Sequence, residues 1–161
     1  LSKPLVRKLQ RLLEKQGVDL HPRKLAPPPY VSHYAYDGLR TAVAHGMASG
    51  NYTNDFKLDE PSNEKRMINH LRRLAAMYGD VFREPQQTAA TKEATLSLAK
   101  AASMIASAYG LQVEDPNQAL LALRETGLVR PATLSLIRNR DALTNGDTFL
   151  LIRDLVAAVS P

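Results

Sequence analysis

Residues 91–110 read TKEATLSLAKAASMIASAYG. Wound at about 100° per residue, the small and apolar side chains of this stretch run almost all the way round, and Lys100 is the only charge after Glu93. A helix enclosed on most sides carries such a pattern, because a helix facing water on one side needs a polar arc there. The stretch therefore predicts a central apolar helix over about 91–109, ended by Gly110, with the rest of the chain packed on it. That reading decides the fold class: an all-α bundle.

Toward the C-terminus the punctuation is clear. Asp115-Pro116 is a cap followed by proline at the first helical position, and it opens a short helix through Ala119, Leu120, Leu121 and Leu123 that stops at Gly127. Pro131 opens another, with Leu134, Leu136 and Ile137 apolar. Asn145-Gly146-Asp147 reads as a turn and cap before a final helix from Thr148 to Ala158, with Phe149, Leu150, Ile152, Leu155, Val156 and Val159 as buried candidates.

Toward the N-terminus, Ser2 can cap a first helix, Pro4 is tolerated in its first turn and Gly17 can end it. Leu5, Leu9, Leu12 and Leu13 make one stripe of that helix, and Lys3, Arg7, Lys8, Arg11 and Lys15 cover the opposite arc. Pro27, Pro28 and Pro29 forbid a helix and favour an extended, stiff connector. Pro-Pro-x-Tyr, completed by Tyr30, is also the form that WW domains recognise, although a spacer role is the favoured reading. Ser32 is expected to start a second helix reaching about Ser49, and Ser62 a third reaching about Tyr78. The third is the cleanest amphipathic helix: Met67, Ile68, Leu71, Leu74, Ala75 and Tyr78 face one way, and Lys65, Arg66, His70, Arg72 and Arg73 the other. The count is about seven helices, with no sustained strand alternation, no repeat period and no long heptad seam.

The 161 residues suit one ordinary domain, or two small subdomains sharing a core. The predicted division is a basic helical half at 1–80, a connector at 81–90 and a neutral helical bundle at 91–161. No cysteine is present, which excludes disulfides and thiolate metal sites or nucleophiles. No run approaches the roughly 20 apolar residues of a membrane span. The chain begins at Leu1 rather than methionine with no signal-peptide pattern, which reads as a trimmed or processed product or a piece of a longer protein. A soluble, intracellular protein of the cytoplasm, nucleoid or nucleus is expected.

Charge divides unevenly along the chain. Residues 1–80 hold 13 Lys and Arg against 8 Asp and Glu, whereas residues 81–161 hold 8 of each, so the whole excess of +5 lies in the first half. All four histidines (His21, His33, His45, His70) lie there too, with Tyr30, Tyr34, Tyr36, Tyr52 and Tyr78. Such asymmetry points to a polyanion or an acidic partner. Arg7, Lys8, Arg11, Lys15, Arg23, Lys24, Lys65, Arg66, Arg72 and Arg73 are the cations expected to neutralise phosphates, and Tyr30, Tyr34, Tyr36 and Tyr52 could stack on bases. Solvated helix faces are the competing explanation.

Specific catalytic and metal patterns are missing from the sequence. No two histidines have the i, i+4 spacing of a zinc helix, and there is no phosphate loop, dinucleotide fingerprint or serine nucleophile elbow. The adjacent carboxylates Asp59 and Glu60, and Glu114 and Asp115, suit helix capping better than acid–base work. Neither a cofactor nor a metal is expected. One pair departs from this: Arg40 and His45 are separated by four residues, Thr41-Ala42-Val43-Ala44. That spacing resembles the Arg-x4–6-His motif of HEPN ribonucleases, in which the pair, set across a dimer, acts on an RNA phosphodiester. Thr41 stands where that family commonly has asparagine or aspartate, and the motif lies early in this chain rather than near a late helix.

Three functions are thus expected, in order. The first is a non-catalytic nucleic-acid-binding and assembly domain of a nucleoprotein, replication or transcription complex, with RNA or DNA on the basic half and a protein partner or a second copy on the C-terminal bundle. The second is an adaptor for an acidic protein, and the third a HEPN-like ribonuclease using Arg40 and His45. No membrane partner is expected.

Overall fold

The computed structural model describes residues 3–15, 30–48, 56–85 and 94–160. These form seven helices: α1 (Lys3–Lys15), α2 (Tyr36–Ala44), α3 (Glu64–Met77), α4 (Leu98–Tyr109), α5 (Pro116–Glu125), α6 (Pro131–Ile137) and α7 (Asn145–Val159). Strand structure among the described residues is limited to two isolated bridges, Pro61 with Thr144 and Asn63 with Thr95. The fold is all-α.

Those bridges explain where several helices start. Ser62 was the expected start of α3, but its backbone N–H donates to Leu143 O at 2.8 Å, so the chain is still extended there. Asn63 caps instead, its side-chain oxygen accepting from Arg66 N at 2.8 Å. Leu143 N in turn donates to Leu96 O at 2.7 Å, which holds the residues before α4 extended. α4 therefore begins at Leu98 under a Ser97 cap, later than the expected 91; residues 91–93 lie outside the described residues. α7 starts earlier than expected. Thr144 accepts from Asp147 N at 3.1 Å while Asp147 accepts from Thr144 N at 3.0 Å, and this reciprocal capping box makes Asn145-Gly146-Asp147 the first helical turn rather than a preceding loop. α2 is shorter than expected at both ends. His33 Nδ1 accepts from Ala35 N at 3.0 Å, which fixes a turn ahead of Tyr36, and Gly46 at φ +71° breaks the chain away after Ala44.

The most enclosed helix is α7, with eleven of its fifteen residues buried against six of twelve in α4. Its run Phe149-Leu150-Leu151-Ile152 is apolar on consecutive positions, and only an element covered on several sides tolerates that. α2 and α3 lie on α7, α3 also meets α4, and α4 packs on α5. One hydrophobic cluster unites both parts of the chain: Leu39 and Ala42 from α2 and Met67, Leu71 and Leu74 from α3 meet Ala102 and Ile105 from α4 and Leu151, Ile152 and Leu155 from α7. None of the described side chains of helix α1 is buried, and Leu5, Leu9 and Leu12 on its apolar stripe are each about half exposed. No described helix is long and apolar enough to cross a membrane.

Candidate functional site

Successive residues on a helix are about 100° apart, so the cations of α3 cannot all face one way. Arg66, Asn69 and Arg73, spaced i, i+3 and i+7, share one face. Lys65 and Arg72 share another, roughly a quarter turn away. Arg72 Nε lies 3.8 Å from Glu84 Oε1, so its charge is partly answered locally. The side chain of Arg66 makes no hydrogen bond or ion pair with a described residue, and its backbone N–H donates to the Asn63 cap.

The face bearing Arg66 and Arg73 borders a cavity of about 490 Å³. Asn69 and His70 complete its α3 wall, Asn145 and Phe149 come from α7, and Phe56, Lys57 and the Gly46–Ala48 turn close the other side. No carboxylate lines it among the described residues. Two anchors set its shape. Arg73 Nε donates to His45 O at 3.1 Å, which holds the guanidinium along the turn after α2. Asn145 Nδ2 donates to Lys57 O at 2.9 Å, joining the start of α7 to a residue held at φ +55°.

His70 also belongs to this wall, with its ring edge-on to Phe149 at 5.6 Å between centroids. Burial, reinforced by the positive charge of Arg66, pushes its pKa down from 6.5 to about 4. At neutral pH the imidazole is uncharged, and the positive charge of the α3 wall comes from Arg66 and Arg73 alone.

The remaining sequence candidates are dispersed. Arg7, Lys8, Arg11 and Lys15 are exposed on α1, which makes none of the main helix pairings. Arg23 and Lys24 lie outside the described residues, as do Pro27, Pro28, Pro29 and Tyr52. Of the tyrosines considered for base stacking, Tyr30 accepts at its hydroxyl from Phe56 N at 2.9 Å and packs edge-on to that ring. Tyr34 donates to Asp147 at 2.6 Å beneath the guanidinium of Arg140, and the guanidinium of Arg40 lies 5.9 Å from the centre of the Tyr36 ring. Tyr30 and Tyr34 thus support the fold. His45 Nδ1 donates to Thr41 O at 2.8 Å, which ties its ring to the last turn of α2.

Sequence reasoning named Arg66 and Arg73 but missed Asn69, Lys57, Asn145 and Phe149. The spacing of Arg66, Asn69, His70 and Arg73 was a readable signal of one polar face. The meeting of Lys57 with Asn145, 88 residues apart, had none. Comparisons with known protein families, with curated proteins and with solved structures found no match to this chain.

Proposed function

We propose that this chain is a non-catalytic nucleic-acid-binding and assembly domain, with Arg66 and Arg73 as its central phosphate contacts and the α1 cations Arg7, Lys8, Arg11 and Lys15 as further ones. The observation that carries the reading is the convergence of two arginines on one cavity with no carboxylate among its described lining residues. A planar guanidinium donates two parallel hydrogen bonds to phosphate and keeps its charge at any physiological pH. Surface arginines that serve only solubility are usually interspersed with acids, as Arg72 is with Glu84.

A protein-contact role for the C-terminal part has its own support. Between α5 and α6 runs a groove lined by Leu120, Leu121 and Leu134 and flanked by Arg124 and Arg138, and Leu121 remains 53% exposed. An apolar floor with cationic rims suits an acidic amphipathic partner.

The deciding experiment is a salt titration of binding to single- and double-stranded RNA and DNA. Affinity is expected to fall linearly on a log–log plot against salt, because each phosphate neutralised releases counterions. Binding that ignores salt, or no binding to any of the four, overturns the reading.

A further inference from the structure

We infer that the cavity between α3 and α7 receives the terminal phosphate of a nucleotide, a phosphomonoester, rather than an internal phosphodiester. The inference deepens the nucleic-acid reading and rests on it for the identity of the ligand, since a free mononucleotide and a strand end carry the same group.

Charge matching comes first. An internal phosphodiester carries one negative charge, while a phosphomonoester near pH 7 carries about 1.5 to 2 and offers three acceptor oxygens. Arg66 and Arg73 bring two permanent positive charges to one wall, and no carboxylate of the described lining offsets them. Among the described lining residues nothing offsets the like charge of this pair, and a dianion would match it, with Lys57 on the opposite side of the cavity as a further cation.

Size and lining come second. At about 490 Å³ the cavity lies within the range of small-molecule sites and is far larger than one phosphate needs. The surplus space is bordered by the partly exposed ring of Phe56 and the exposed carboxamide of Asn69, with the buried Phe149 and Asn145 forming its floor. Aromatic rings suit the face of a base, and carboxamides, which both donate and accept, suit its edges. A bare inorganic anion would leave that lining unused.

Preorganisation comes third. Arg73 is already held by His45 O and Asn145 by Lys57 O, so part of the ordering cost of binding is met in the folded chain. Among the described residues Arg66 has no competing side-chain partner to give up.

The test compares, by calorimetry at fixed ionic strength, a purine nucleoside monophosphate, the matching nucleoside and inorganic phosphate. It adds short single-stranded oligonucleotides carrying either a phosphate or a hydroxyl at the 5′ end, with the 3′-phosphate form as a further arm. The monophosphate should bind at least about tenfold more tightly than the nucleoside and than inorganic phosphate, and Arg66→Gln or Arg73→Gln should each remove about tenfold or more. Arg72→Gln should leave binding unchanged, and thermal melts of all three variants check that they fold. End-phosphorylated strands binding more tightly than their hydroxyl counterparts support recognition of a strand end. Monophosphate binding without any oligonucleotide binding supports the phosphomonoester site and overturns the nucleic-acid reading. Equal binding of both strand types without monophosphate binding overturns the terminal-phosphate inference and leaves the nucleic-acid reading standing. Binding of inorganic phosphate as tight as that of the monophosphate also overturns the inference.

Discussion

The backbone of Phe149 occupies the space that a side chain at Gly38 would need: a Cβ there would lie 2.6 Å from the Phe149 carbonyl carbon and 2.7 Å from Leu150 N. Helices α2 and α7 cross backbone to backbone at this point, so no rotamer change can relieve an added methyl. Replacing glycine by alanine in a helix is worth up to about 1 kcal/mol in propensity, but overpacking a rigid contact costs about 1–3 kcal/mol, and the clash should win. Gly38→Ala is therefore expected to lower Tm by roughly 2–8 °C in thermal denaturation. An unchanged or raised Tm would mean that the crossing yields freely.

Tyr34 gives the fold an alkaline limit. Burial, with the hydrogen bond to Asp147 next in weight, raises its pKa from 10 to about 12. The folded state holds the phenolic proton more tightly than the unfolded chain, so the stabilisation is complete below pH 10 and is lost as pH rises through 12. Denaturant melts should show stability declining across that window, and Tyr34→Phe should flatten the decline. At neutral pH the same variant should lose about 1 kcal/mol, because Asp147 forfeits a donor.

His70 sets the acid limit in the opposite sense. Its folded pKa of about 4 lies below the ordinary 6.5, so the unfolded chain takes up the proton first. The contribution is complete above pH 6.5 and is lost as pH falls through 4, an effect on the order of 3 kcal/mol. His70→Gln cannot titrate, and its urea-unfolding stability should change less between those limits than that of the parent chain. Equal slopes would show that the imidazole is solvated.

Asp154 joins α6 to α7. Its carboxylate, fully buried, accepts from Arg130 N at 3.0 Å and Thr133 Oγ1 at 2.5 Å, and from the Arg153 guanidinium at 3.1 Å. Removing the acid strands a buried hydroxyl and a backbone donor beside a guanidinium. Asp154→Ala should cost about 3 kcal/mol in chemical denaturation, well beyond the loss from shortening an exposed aspartate such as Asp141.

The two faces of α3 should behave differently toward polyanions. Arg66→Glu and Arg73→Glu, in the cavity wall, are each expected to weaken nucleic-acid binding and to reduce the slope of log affinity against log salt by about one. Arg72→Glu, beside Glu84, should change either quantity far less. Equal effects at all three positions would indicate diffuse attraction to a basic half rather than a site.

Much of this architecture was legible in the chain itself. Proline at Pro116 and Pro131, and a capping aspartate at Asp115, mark helix starts because their effects are local: a fixed φ, a missing N–H, a side-chain oxygen within reach of the next turn. Helical periodicity likewise placed Met67, Leu71 and Leu74 inward and Arg66 and Arg73 outward. Tertiary contacts decided what locality could not. Leu143, by bonding to both Ser62 and Leu96, moved the starts of α3 and α4, and the Thr144–Asp147 box drew three expected loop residues into α7. The cavity arises only because the turn after α2, the Phe56-Lys57 segment and the first turns of α7 meet one face of α3. Sequence periodicity assigns a side chain to a face; which distant backbone arrives at that face depends on how the whole core closes.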